Sequence, residues 1–157
     1  MKFSYLFFLH FCLAALSQTI TILSPPAGSE LLPGQDVTVQ LAFPNSLTGM
    51  QHISAVIGII NCAGAPCPTD ATSTLGIPVF SGNYTPQFHE TNLPPYQNFS
   101  VTAPSTLAAG TNMITAAQFM LVGASASPVL QFTNVTVNTP SKSNRRAAMV
   151  RGRVVYI

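Results

Sequence analysis

The chain has 157 residues and only 6% of them are charged; six Lys and Arg against four Asp and Glu leave a formal charge of +2. The charges are segregated: Glu30, Asp36, Asp70 and Glu90 are the only ones between Gln18 and Pro140, while Lys142, Arg145, Arg146, Arg151 and Arg153 crowd the end. A body without cations cannot grip phosphate, so its composition argues against nucleic-acid binding.

Met1-Lys2 opens the chain with a positive charge. An apolar run from Phe3 to Leu16 follows, and Ala15 and Ser17 are small residues suited to cleavage after Ser17. This pattern predicts a signal peptide over 1–17. The run is too short for a membrane anchor, which needs roughly 20 apolar residues. No later segment is long and apolar enough to span a bilayer, and the charged C-terminus does not suit a lipid-anchor signal. The expected product is secreted, starts at Gln18 and holds one domain over 18–140.

Thr19–Leu23 alternates and predicts a first strand, ended by Ser24-Pro25-Pro26 and a turn at Leu32-Pro33-Gly34. Val37, Val39, Leu41 and Phe43 alternate with polar or small residues and predict a second strand with one core face. His52–Asn61 is a nearly continuous apolar run, which predicts a central strand covered on both faces. Its Val and Ile content favours a strand over a buried helix.

Cys12 leaves with the signal peptide, so Cys62 and Cys67 remain as an even pair in a secreted chain. A disulfide between them is expected. It would pin the short loop after the central strand. A metal site would need more ligands than this pair and the two remaining imidazoles, His52 and His89, provide, so no metal or other cofactor is expected.

Leu75–Ser81 reads as a short strand, and Pro78 places it at a sheet edge. From Gly82 to Pro95 the chain is rich in Pro, Asn and aromatic residues and predicts a long surface loop. Three further runs follow at even spacing: Gln97–Ala103, Met113–Val122 and Val129–Val137. Pro104 and Gly110 punctuate the first gap, and Gly123, Ser127 and Pro128 the second, as in consecutive antiparallel strands. Asn83-Tyr84-Thr85, Asn98-Phe99-Ser100 and Asn134-Val135-Thr136 are N-glycosylation acceptors. A glycan must face water, and residues two apart in a strand share a face. Asn98 and Ser100 should therefore point out, with Phe99 and Val101 in. Asn134 and Thr136 should point out, with Val135 and Val137 in. The whole predicts an all-β, immunoglobulin-like antiparallel β-sandwich of about seven strands.

The last stretch, 141–157, departs from the body's composition and is expected to add nothing to the core. A disordered basic arm, a segment cut after Arg145-Arg146 and a misread gene end all fit it.

No nucleophile elbow, zinc-protease helix, phosphate loop or dinucleotide fingerprint occurs, and the four carboxylates are scattered through turns. His89-Glu90 is the one local pair capable of acid–base work. A non-enzymatic protein is expected. The loop 82–96 offers Tyr84, Phe88 and Tyr96 as candidate anchors for a partner, beside an edge strand with unpaired backbone groups.

The order Leu75-Gly76, Phe80-Ser81-Gly82-Asn83-Tyr84-Thr85-Pro86, Asn98-Phe99-Ser100-Val101 and Pro104 to Gly110 carries a resemblance. It continues through Ala117, Phe119, Leu121, Gly123-Ala124, Pro128 and Asn134-Val135-Thr136-Val137. Over 75–138, and more loosely from Gln18, the chain resembles the necrosis-inducing secreted protein family, small effectors of filamentous fungi. The resemblance implies a secreted effector that binds a host protein of the receptor-like kinase class and suppresses plant immune signalling; a monomer is expected. The alternative is a cell-wall or carbohydrate-binding surface module, for which the absence of Trp leaves Tyr84, Phe88 and Tyr96 as the available aromatics.

Overall fold

The computed structural model describes residues 19–46 and 48–141. The expected signal peptide over 1–17, and all of the basic tail except Ser141, lie outside the described residues.

Seven strands form two antiparallel sheets. They are β1 (Thr21–Ser24), β2 (Asp36–Ala42), β3 (Met50–Asn61), β4 (Ile77–Asn83), β5 (Tyr96–Thr102), β6 (Gly110–Val122) and β7 (Ser127–Thr139). One sheet has the order β1-β2-β5 and the other β4-β3-β6-β7. The predicted all-β sandwich is therefore the observed architecture. Its partition differs from the constant-type immunoglobulin order, in which the fourth strand belongs to the first sheet. Here β4 sits beside β3.

Alternation builds the core. Val39 and Leu41 of β2 pair in register with Phe99 and Gln97 of β5, and Val39, Leu41 and Phe99 face the opposite sheet. Ile57 and Ile59 of β3 pair with Ala116 and Ile114 of β6 and close the core from the other side. Val39, Leu41, Ile57, Ile59 and Ile114 have no exposed surface. Full burial of each such side chain stabilises by about 1.5–3 kcal/mol. The predicted faces of β5 hold: Asn98 and Ser100 are exposed, and Phe99 and Val101 are buried. In β7, Thr136 is exposed and Val137 buried, whereas Asn134 and Val135 are both half-buried. Pro78 lies in an edge strand as expected, because β4 pairs only with β3; no ladder bond is lost there on the solvent side.

Two features lie beyond the alternation pattern. After β1 the chain leaves the first sheet, and Glu30 bridges Asn138 of β7 in parallel. Gly28 and Leu31 donate to the Thr136 and Asn138 carbonyls, and Asn138 donates back to Ser29. This segment covers one end of an otherwise open edge. The second feature is the connection over 62–76. It starts at the Cys62–Cys67 disulfide, whose Cα atoms are 5.0 Å apart, and lies across the outer face of the four-stranded sheet. The Thr115 hydroxyl donates to the Leu75 carbonyl at 2.7 Å, and Ala71 is buried.

That strap modifies the expectation for β3. Ala55, Ile57 and Ile59 are buried on its inner face, but outward Val56 and Ile60 are only half-buried. The outer cover reaches Gly58 and Thr115 and does not extend over the whole strand. Gly58 is where the strap comes closest: a Cβ there would overlap the Leu75 carbonyl oxygen. Replacing Gly58 by Ala must push backbone away and break the Thr115 bond. We expect G58A to lose about 1–3 kcal/mol in urea unfolding, the usual cost of overpacking. A midpoint equal to wild type would mean that the strap is not held against β3.

Candidate functional site

The loop between β4 and β5 is held by its two flanking tyrosines. Tyr84 follows β4 directly and turns into the space between the sheets. It is fully buried, and its hydroxyl donates to the Leu41 carbonyl at 3.1 Å. Its ring lies 6.2 Å from Phe99 and meets His52 edge-on at 5.3 Å. Burial pushes its phenol well above the ordinary tyrosine range.

Tyr96 anchors the other end from outside. It pairs with Ala42, on the face of the three-stranded sheet opposite to the core, and is 7% exposed because the loop folds over it. His89 lies against its ring at 4.5 Å, and its hydroxyl donates to a Glu90 carboxylate oxygen at 3.0 Å. Burial, and then the Glu90 carboxylate, hold this phenol above its usual range. Gln87 and Tyr96 exchange two backbone hydrogen bonds, Thr85 N–H donates to the Gln97 side chain at 2.7 Å, and Phe43 N–H donates to Pro95.

These positions correct the expectation that Tyr84, Phe88 and Tyr96 form an exposed aromatic set. Tyr84 belongs to the core and Tyr96 to the floor of the loop; each ring loses more by staying in water than its hydroxyl loses by finding one protein partner. Phe88 alone meets the expectation, at 64% exposure. His89 and Glu90 do not form an acid–base pair aimed at a cleft. Both are exposed and turned toward Tyr96. The result is a pre-ordered loop with one large apolar side chain on its surface; Ile77, also exposed, lies at the far end of β4 from it.

The other predicted residues are dispersed. Asn83 at the end of β4 and Asn98 in β5 are exposed, on different sheets. Asn134 lies in β7 next to Thr115. Cys62 and Cys67 are bonded to each other as expected. Among the described residues, no group of three or more His, Cys, Asp or Glu is placed to hold a metal ion.

Sequence reasoning missed a polar cluster under the loop. His52 packs against Phe43 and Tyr84, and the Gln118 amide nitrogen donates to its Nδ1. Gln118 is fully buried, touches the Met120 sulfur with the same nitrogen, and leaves its oxygen without a partner. A lone Gln inside the apolar run of β6 was the available signal. Burial lowers the His52 pKa below its ordinary 6.5, so the folded protein holds the imidazole neutral, as an acceptor. The unfolded chain binds a proton near pH 6.5. The stability due to neutral His52 is thus present above that pH and lost as pH falls toward the lower folded pKa. We expect the urea midpoint to drop from pH 7.5 to 5.5, and H52Q to flatten that drop. An unchanged slope in the variant would assign the pH dependence to other groups.

Residues 17–138 match the model of the Nis1 family. No curated protein matches the chain. Among solved structures, two of a superoxide reductase (neelaredoxin) from Ignicoccus hospitalis are similar to it. One is matched over 78% of this chain and 80% of that one, at 11% identity and a TM-score of 0.43. The other is matched over 77% and 80%, again at 11% identity and a TM-score of 0.43.

Proposed function

The chain belongs to the Nis1 family, a fungal effector-like family, and from that premise we propose a secreted effector that acts by stoichiometric binding and not by catalysis. Its partner is a host protein of the receptor-like kinase class, and the consequence of binding is weaker immune signalling. The observation that carries this reading is the family match, which spans nearly all of the sandwich. The Cys62–Cys67 bridge suits the oxidising compartment that secretion implies, and the three acceptor sites at Asn83, Asn98 and Asn134 suit a glycoprotein made there.

The loop over 84–95 is the contact surface in this reading. Its backbone is already tied down at Tyr84, Gln87 and Tyr96, so little ordering entropy is lost on binding. Phe88 is the side chain able to fill a partner's pocket, in the manner of the few residues that dominate interface energetics. The wall-module alternative would need a platform of exposed rings, and burial of Tyr84 and Tyr96 removes two of its three candidates.

Full-length secreted protein applied to host tissue should blunt the oxidative burst triggered by a microbial elicitor, in proportion to dose. F88A should weaken retention of the kinase-class partner by about tenfold or more, as loss of an interface anchor does. Its melting temperature should hold, because exposed positions away from packed features change stability by under ~0.5 kcal/mol. The reading fails if purified protein leaves the burst unchanged and retains no host kinase but binds fungal wall polysaccharide.

A further inference from the structure

The outer face of the four-stranded sheet carries an apolar strip that the 62–76 strap leaves partly bare: Phe119 and Leu130 are exposed, Val56 and Phe132 half-buried, and only Ala117 is buried. Strand register places Phe119 of β6 directly beside Leu130 of β7, and Ala117 beside Phe132. Val56 of β3 extends the second row. Leu130 is 56% exposed and Phe119 37%, so among the described residues they are two of the few large apolar side chains in water. Contiguous apolar surface of this kind on a secreted monomer calls for a cover or a partner.

Two of the three acceptor asparagines stand on that same face, one at each margin. Asn134 follows Phe132 by two residues in β7, so both project to one side, about 7 Å apart. Its cross-strand neighbour is Thr115, which the strap already touches through Leu75. Asn83 lies at the opposite margin: it pairs with Ser54, and Ser54 pairs with Phe119. Asn83 therefore shares a row with Phe119 and Leu130, two strand spacings of about 4.8 Å from Phe119. Asn98 lies on the other sheet and has no part in this arrangement.

We infer that Asn134 and Asn83 carry N-glycans that lie across the Phe119–Leu130 and Val56–Ala117–Phe132 rows and form their cover. This rests on the secretory reading above. In the attachment step the Asn amide nitrogen bonds to the anomeric carbon of a lipid-linked oligosaccharide. The bond from that carbon to a diphosphate oxygen breaks, its electron pair stays on the lipid diphosphate, and the amide loses one proton. One face of an N-acetylglucosamine ring is lined by C–H groups. The first sugar on Asn134 is within reach of the Phe132 ring, against which that face packs. The sugars beyond it, and those from Asn83, reach Phe119 and Leu130. The strap covers the half of the sheet near Gly58, and the glycans cover the half near Phe119.

The test is secretion of the full chain from a eukaryotic host, with site occupancy read by peptide mass mapping. Binding of an apolar fluorescent dye and sedimentation velocity are compared for wild type, N83Q/N134Q and N98Q. The double variant should bind dye several-fold more strongly and self-associate, whereas N98Q should behave as wild type. Adding F119S and L130S to the double variant should return both readouts to the wild-type level, which separates bared surface from misfolding. Absence of sugar at all three sites overturns the inference together with the secretory reading. Occupied Asn83 and Asn134 whose loss changes neither readout overturn the inference alone.

Discussion

The Tyr84 hydroxyl reaches through the sandwich to the Leu41 carbonyl, and the loop that leaves β4 depends on that contact. A tyrosine at this point has to satisfy two demands at once. Its ring is large enough to gain most by burial between the sheets, and its hydroxyl, once there, needs an acceptor. Leu41 supplies the acceptor from the opposite sheet, so one side chain ties β2 to the end of β4 across the core. His52 and Phe99 pack against the same ring. The loop's start is thus fixed inside the core, and its end is held by Tyr96 beneath it. Phe88 lies between these two anchors and is exposed.

Much of the fold was readable from alternation. In β5 the acceptor asparagine and the hydrophobic period agree on which face is wet, and a one-residue error would have placed Phe99 in water. Pro78 identified the edge strand because a missing N–H is harmless only where no neighbour asks for it. The candidate site was less readable for an equally physical reason. Aromatic residues among prolines and asparagines look exposed when only local composition is considered, yet Tyr84 is buried by elements far away in sequence and Tyr96 by the fold-back of its own loop. Leu41 is 43 residues from Tyr84. Periodicity describes one strand against one average environment. It does not report a segment such as 28–31, which pairs in parallel with β7, or a strap that crosses half of a sheet.

The outer face of the four-stranded sheet shows the same limit. The apolar run of β3 suggested cover on both faces, and the structure divides the matter within one strand: Gly58 lies tight under Leu75, while Val56 is only half-buried. Gly58 permits the close approach because it has no side chain. The strap in turn needs the Thr115 hydroxyl to satisfy a carbonyl that has left the ladder. A small residue on one strand and a hydroxyl on the next together let a non-repetitive segment lie on a sheet. Neither residue type is conspicuous in a sequence by itself.

The distribution of charge bears on which surface is open to a partner. Among the described residues Asp36 starts a strand, Asp70 and Glu90 lie in bends, and Glu30 bridges the edge of β7. Three of these carboxylates accept a hydrogen bond, Asp36 from Thr102, Asp70 from Thr72 and Glu90 from Tyr96. The sheet faces themselves are neutral, so long-range steering cannot direct a partner onto them. If glycans occupy the bare half of one outer face, and Asn98 carries another on the other sheet, bulky and mobile sugars exclude a protein from both broad faces. The remaining approaches are the sheet edges and the loop ends. The β7 edge is partly closed by residues 28–31. Among the described residues the outer edges of β1, β5 and β4 pair with no further strand, and the loop bearing Phe88 leaves β4 directly after Asn83. Sugars at Asn83 and Asn98 would also flank the two ends of that loop, so a partner reaching Phe88 would have to approach between them.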